Sequence, residues 1–442
     1  MEIRNKKITV VGLGNSGLEA GLLLVKEGVG VSVTDSGDTE AIRENAGRLR
    51  AKGVQVEAGC HTKEFLVGTE LLVVSPGVEP RALPVRYAEK ENIPIISELE
   101  LGYRFCKGRI VAVTGTNGKS TVVSLLGEIL RKAGIPVCVA GNIGNSLSGE
   151  VRNITKDTVV ILEVSSAQLE RVASFRPEIS VILNITPDHL DRYTTFREYR
   201  DFKARIYENQ KGSDTLVLNA DDENIKNLVK FKAPSAKVLY FSARGKSNLK
   251  SLFELGNTGL KGGHNLENVL AAGMIAGLLG IGESSVKRAI ESFVPLRHRF
   301  ERIATVGGID FIDDSKATNI DSTYRALSSL DRPTVLIAGG KDKNISYEKI
   351  LPLVEKSVKK IVLIGETRQK MRGIFKGNVA LEEKDSLEGA VRAAFKSASS
   401  GESVLLSPMC SSFDMFRDYK HRGEVFKKAV ERLKKRGRPT LP

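Results

Sequence analysis

The sequence predicts an α/β protein of three domains in series. Short apolar runs alternate with helix-compatible segments, two glycine-rich turns each follow such a run, and 442 residues exceed one ordinary domain. The first series has runs at residues 8–11, 31–34, 71–74 and 94–96, an alternation that implies a parallel sheet. Gly12-Leu13-Gly14-Asn15-Ser16-Gly17 follows the first run, the helical 18–26 comes next, and Asp35 closes the second run. This is a dinucleotide fingerprint: the glycines permit a tight turn and close approach of phosphate, and the acid accepts from ribose hydroxyls. It supports a nucleotide without choosing NAD over UDP. The first domain is therefore read as Rossmann-like.

A second series runs from Ile110 through 159–162, 181–183 and 216–218, with helices expected at 122–133 and 266–280. The apolar strand from Arg109 ends in Thr114-Gly115-Thr116-Asn117-Gly118-Lys119-Ser120-Thr121, a phosphate-binding loop. Converging amides would hold phosphate oxygens, Lys119 adds a cation, and the Ser120 or Thr121 hydroxyl reaches Mg²⁺. The loop is shortened, because Val113 stands where the common motif has its first glycine and the glycine is Gly115. Glu163 ends the next strand, where an acid beside a phosphate loop suits Mg²⁺. The strand ending Leu183-Asn184 leads into Ile185-Thr186-Pro187-Asp188-His189-Leu190-Asp191-Arg192-Tyr193, in which His189 is a candidate second-metal ligand. Lys203 lies in the helical 196–209 and reads locally as a solvated lysine. Gly263-His264-Asn265-Leu266-Glu267-Asn268 opens a helix whose amides either read a purine or cap the helix. The central domain is thus a P-loop ATPase-type unit with a mostly parallel sheet.

The third series begins near residue 299, with strands at 311–312, 335–337, 361–364 and 403–406. His298-Arg299-Phe300-Glu301 and Asp314-Ser315-Lys316-Ala317-Thr318-Asn319 form a polar cluster at its start, so the reaction site is expected in the cleft between the second and third domains. The expected boundaries are 1–106, 107–297 and 298–442, with a hinge near 297.

A formal net charge of +14 and a pI near 9.5 imply attraction to anions. No aromatic-interleaved basic stripe marks a nucleic-acid face, and the basic C-terminal segment from Lys427 to Arg438 reads as a solvated helix face with a frayed tail. Cys60, Cys106, Cys138 and Cys410 are too widely spaced for a zinc site and read as reduced thiols. No signal-peptide core or membrane-length apolar run is present, so a soluble cytoplasmic protein is expected, and a monomer.

Assembled in order from Gly12 to Arg422, these motifs resemble the ATP-dependent Mur ligase family. Thr114–Thr121, Gly141-Asn142-Ile143-Gly144, Gly263–Asn268 and His298–Glu301 are similar to its shared signatures. Glu163-Val-Ser-Ser-Ala-Gln168, Ile182–Tyr193, Asp314–Asn319 and Leu406–Asp414 are similar to its D-glutamate-adding branch. The resemblance implies a Rossmann-like C-terminal domain and a ligase that phosphorylates the L-alanyl carboxylate of UDP-N-acetylmuramoyl-L-alanine with ATP. D-Glutamate then attacks the acyl phosphate, and a tetrahedral intermediate expels phosphate.

By the same resemblance, Gly115, Thr116, Asn117, Gly118, Lys119, Ser120 and Thr121 hold ATP, with Asn265, Asn268, Arg299 and Asp314 on the nucleotide side. Two Mg²⁺ are implied, one served by Ser120, Thr121 and Glu163, the other by His189 and a Lys203 carbamylated by CO₂. Lys316 would steer the terminal phosphate or incoming carboxylate. Gly14, Asn15, Ser16, Gly17, Asp35, Ser36, Gly77, Asn142, Ser165, Gln168 and Arg192 would hold the UDP substrate, and Thr318, Lys343, Ser412 and Phe413 would surround D-glutamate. Three positions depart from the pattern: Gly37, where some relatives carry arginine, Ala167 for phenylalanine and Pro187 for glutamate. A ligase adding another amino acid, an NAD-dependent oxidoreductase resting on the Gly12–Gly17 turn and a regulatory P-loop NTPase are the alternatives.

Overall fold

The computed structural model describes residues 3–245, 260 and 263–436. Arg438 of the basic tail lies outside them. The described residues fall into two compact units, one spanning Met1–Ile185, Arg192–Glu254 and Glu267–Ser292, the other Thr186–Asp191, Leu255–Leu266 and Phe293–Pro442.

The first unit holds two parallel sheets. One contains β1 (Ile8–Val11), β2 (Val31–Asp35), β3 (Gln55–Ala58), β4 (Leu71–Val74) and β5 (Ile95–Ser97), in the order β3-β2-β1-β4-β5. The second contains β6 (Arg109–Thr114), β7 (Val137–Gly141), β8 (Val159–Glu163), β9 (Ile179–Ile182), β10 (Thr215–Asn219) and β11 (Lys237–Phe241), ordered β11-β10-β9-β6-β8-β7. Central β1, β8 and β9 are buried throughout, which is why they read as unbroken apolar runs. Ligand-facing turns follow from this topology, because the strand order reverses about β1 and about β6 and crevices open at the C-terminal ends of the strands there.

One continuous apolar core joins these two sheets, from Ile8 and Val10 through Ile110 to Leu218. The helix Glu98–Phe105 is capped by the Ser97 hydroxyl and carries two buried acids. Glu100 accepts the backbone N–H groups of Ala173, Ser174 and Phe175 and pairs with Arg104 at 2.9 Å. Burial alone would raise its carboxyl, but these donors outweigh that and hold it below its ordinary value.

The second unit holds a mixed sheet of β12 (Glu301–Val306), β13 (Ile309–Asp313), β14 (Thr334–Gly339), β15 (Val358–Ile364), β16 (Ala380–Glu383) and β17 (Ser403–Leu406). Its order is β12-β13-β17-β14-β15-β16, with β12 antiparallel to β13 and the other pairs parallel. A two-residue turn at Gly307 and Gly308, both with positive φ, makes that single antiparallel edge possible. No helix among the described residues is long and apolar enough to cross a membrane.

Candidate active site

The phosphate loop leaves β6 and turns through Gly118, whose φ of +86° is left-handed and suits glycine. The helix Lys119–Lys132 starts there with no side-chain cap, so its first amides face the loop. A Cβ at Gly118 would lie 2.3 Å from Asn268 Oδ1, which places that side chain directly against the loop. Asn184 braces the other side: its carbonyl accepts Thr116 N–H at 2.9 Å, its Oδ1 accepts Asn117 N–H at 2.8 Å, and its amide donates to Asn117 O at 3.1 Å. Lys119 Nζ donates to the carbonyls of Gly115 and Thr116, both at 2.9 Å.

Lys203 corrects the local reading of a solvated side chain. It is 1% exposed, donates to Gly115 O at 3.0 Å and lies 4.5 Å from the centre of the Tyr199 ring. The Tyr199 hydroxyl is 3.1 Å from Thr116 Oγ1, so the helix Phe196–Ala204 delivers both groups to the loop. Glu163 is buried and level with Val113 across the β6–β8 pairing, and its Oε1 accepts from Asn142 Nδ2 at 2.7 Å. Ser120, Thr121 and Glu163 are buried hard-oxygen donors, a set that fits Mg²⁺ rather than a softer metal.

A cavity of about 720 Å³ opens beside the glycine turn in the same unit, lined by Gly14, Asn15, Ser16, Asp35, Ser36, Gly77, Asn142 and Gln168 among others. These eight were expected at the UDP substrate. Three further candidates do not line it. Gly17 serves packing, since a Cβ there would fall 1.7 Å from Gly12 O. Ser165 caps the helix Ser166–Leu169 in a reciprocal box with Gln168. Arg192 is engaged by Glu170 through two contacts at 2.6 and 2.8 Å, and Tyr193 donates to the same carboxylate. Asp35 also organises the turn itself, accepting the N–H groups of Leu13 at 2.5 Å and Gly37 at 2.7 Å. Ser146, which the sequence did not single out, lines the cavity with a buried hydroxyl that has no hydrogen-bond partner among the described residues.

In the second unit, His298 and Phe300 both adopt positive φ, at +64° and +48°. That conformation is held by His298 Nδ1 at 2.7 Å from Asp313 Oδ2, by Glu301 accepting His298 N–H at 2.8 Å, and by Lys316 N–H donating to His298 O at 3.1 Å. Asp314 accepts from Phe300 N–H and Ser407 Oγ, yet burial pushes its carboxyl up to about 7. Lys316 Nζ sits 3.8 Å from the Tyr419 ring centre. His264 is pushed down to about 4 by burial, with Arg325 and Arg299 adding to the effect. Asn265 is half-buried on the first turn of the helix Gly263–Leu278.

Asp188 gathers a second group. Its Oδ1 is 2.9 Å from Lys343 Nζ, and its Oδ2 accepts from Asn319 Nδ2 at 3.0 Å. His189 follows with φ +55° and donates its N–H to Asp188 Oδ1. Burial would raise the Asp188 carboxyl, but Lys343 and His189 hold it well below the ordinary range. Thr318 is half-buried, Ser412 is buried and Phe413 is 69% exposed. Cys410 is buried against the Tyr347 hydroxyl at 3.1 Å, consistent with a packed thiol rather than a nucleophile.

Three α/β sheets, a shortened phosphate loop with buried oxygen donors, and a separate cavity at a glycine turn define a nucleotide-dependent enzyme of the P-loop class. Family profiles match along the chain: a Mur ligase MurD-like N-terminal domain over residues 6–97, a Mur ligase middle domain over 113–276, and a Mur ligase glutamate ligase domain over 298–410. The chain belongs to the Mur ligase family. It is 39% identical to a UDP-N-acetylmuramoylalanine–D-glutamate ligase of Thermoanaerobacter sp. (strain X514), over 98% of this chain and 100% of that protein. It is 41% identical to the protein of the same name from Caldanaerobacter subterraneus subsp. tengcongensis, over 98% and 100%. Among solved structures, the fold is shared with the Thermotoga maritima UDP-N-acetylmuramate-alanine ligase MurC (TM-score 0.60, 19% identity, 97% of this chain and 100% of that chain). It is also shared with the MurF ligase of the same organism in complex with ADP (TM-score 0.60, 16% identity, 98% and 96%).

Proposed function

We propose that this protein joins D-glutamate to UDP-N-acetylmuramoyl-L-alanine with conversion of ATP to ADP and phosphate, in cytoplasmic peptidoglycan precursor synthesis. The observation that carries the reading is the full-length match, at 39–41% identity, to proteins bearing that activity as their name. The domain division that goes with it is 1–106 for the UDP substrate, 107–297 for ATP and 298–442 for the amino acid.

The geometry of the phosphate loop supports its part in this reaction. Loop amides from Gly115 to Thr121 and Lys119 cradle the phosphates of ATP, and Asn268 lies against that loop. Ser120, Thr121 and Glu163 would hold a magnesium ion, which when bound neutralises phosphate charge. The substrate carboxylate attacks the γ-phosphorus, giving an acyl phosphate and ADP. The D-glutamate amine attacks the acyl carbon, loses a proton and expels phosphate, leaving the amide. An acyl phosphate hydrolyses readily, so water must be kept out during transfer. His189 and Lys203 are assigned to a second magnesium, Lys203 as its carbamate. Carbamylation replaces an ammonium with an anionic oxygen donor, and the Lys203 nitrogen already sits at the loop carbonyl of Gly115. Thr318, Lys343 and Ser412 supply hydroxyl and cationic donors for the two carboxylates of D-glutamate, with Phe413 beside them. Arg299, Asp314 and Asn265 face the nucleotide, and Lys316 steers the transferring group.

Supplying a panel of amino acids with their matched UDP precursors tests this directly. An amide product with D-glutamate alone is expected. A product with L-alanine or a diamino acid instead would assign a different branch of the family.

A further inference from the structure

His61 stands at the cavity beside the glycine turn. It follows β3, is half-buried, and lines the cavity together with Asp35 and Ser36. In the order β3-β2-β1-β4-β5, His61 and Asp35 lie on one side of the glycine turn after β1, whereas Ser75 and Gly77 follow β4 on the other. A diphosphate held at that turn has its ribose toward the acid at the end of β2, so the nucleobase lies on the His61 side.

Hydrogen bonding favours one imidazole tautomer. Thr34 Oγ1 lies 3.0 Å from Glu57 Oε2, 3.4 Å from Cys60 O and 2.8 Å from His61 Nδ1. When the hydroxyl gives its one proton to the Glu57 carboxylate, Nδ1 meets only the oxygen lone pairs of Thr34 and serves as the donor. Glu57 is itself held in place by Thr62, whose N–H at 3.0 Å and hydroxyl both donate to it. Burial lowers the imidazole against the opposing pull of Asp35 and Glu57, so the ring is neutral at pH 7. A neutral ring with its proton on Nδ1 carries a lone pair on Nε2.

The rest of this end of the cavity offers no cation: among the described residues lining it there is no lysine or arginine. Gly37 does not provide one and is closely confined, since a Cβ there would lie 2.5 Å from Ile42 Cδ1 and 3.1 Å from Asp35 Oδ1.

We propose that His61 reads the nucleobase of the acceptor nucleotide, with Nε2 accepting the imide N3–H of a uracil ring. The assignment rests on the reading of this cavity as the site of a UDP-linked substrate. Uracil presents a donor at N3 and cytosine presents a lone pair there, so an acceptor nitrogen selects the first and repels the second.

The test compares binding of UDP, 3-methyl-UDP and CDP to the purified full chain and to His61→Ala and Thr34→Val. Wild type should favour UDP over both analogues by about tenfold or more, the scale of one hydrogen bond to a buried polar partner. His61→Ala should lose about tenfold for UDP while its affinity for 3-methyl-UDP stays within about twofold, and ATP binding should be unchanged. Thr34→Val, which frees the tautomer, should narrow the preference without abolishing UDP binding. In turnover, KM for the acceptor should rise in His61→Ala with kcat close to wild type. Equal weakening of UDP and 3-methyl-UDP, or an undiminished preference in His61→Ala, overturns the role of His61 alone. A wild-type protein that binds no UDP overturns the reading of the cavity and the role together.

Discussion

Lys343 sets its ammonium 2.9 Å from Asp188 Oδ1, and both side chains are buried. Asp188 keeps Asn319 on its second oxygen, so neither the carboxylate nor the ammonium is left to a dry environment alone. Removing one partner strands the other. Lys343→Met and Asp188→Asn should each destabilise by about 3 kcal/mol, and the double variant by less than their sum. Urea unfolding of all four proteins measures the coupling, and strictly additive losses would show that the pair does not act as a unit.

Asp314 gives a pH signature. Its folded value of about 7 exceeds the ordinary value of 3.8, so the folded state holds the proton more tightly than the unfolded chain. The stability this contributes is complete below the unfolded value and is lost as pH rises through the folded one. Asp314→Asn carries no such titration. Its melting temperature should gain on wild type between pH 4 and 7, and parallel pH profiles for the two proteins would contradict the assignment.

Lys203 is buried at the phosphate loop, where an unmodified ammonium touches the Gly115 carbonyl. On the proposed carbamate, Lys203→Ala removes a metal ligand, and turnover should fall about 100-fold or more. Short carboxylates such as acetate should restore part of it. Wild-type turnover in the variant would remove Lys203 from the metal site.

A variant at Gly118 separates the two proposed nucleotide sites experimentally. Alanine there is strained by φ +86° and by the approach of Asn268 Oδ1 at 2.3 Å. Gly118→Ala should weaken ATP binding about tenfold or more, through strain of about 1–2 kcal/mol plus a displaced Asn268, and leave UDP binding at the glycine turn unaltered. Isothermal titration with each ligand decides it; equal losses for both would mean the loop's geometry is not what the variant disturbs.

Much of this was legible in the sequence where burial is complete. The central strands β1, β8 and β17 are covered on both faces and read as plain apolar runs. The alternation missed β3, β7, β11, β12 and β16, and every one of them is a half-exposed sheet edge. At the site, loops with a local signature were found, among them Gly115–Thr121 and Gly12–Gly17. Lys203 could not be recognised as buried from its helix, because its hydrogen-bond partner is Gly115, 88 residues away. Asn184 and His61 escaped for the same reason. Their partners are set by which strands neighbour one another, and spacing along the chain does not encode that. Asn184 alone carried a usable signal, as a polar residue closing an apolar strand beside the phosphate loop.

In the proposed reaction the phosphate of ATP passes to a carboxylate and is then released by an amine. Phosphate release by the purified protein with ATP and Mg²⁺ measures it most directly, with UDP-N-acetylmuramoyl-L-alanine and D-glutamate added singly and together. Stoichiometric phosphate and amide are expected only when both are present. Sustained phosphate release without D-glutamate, and with no amide formed, would contradict it.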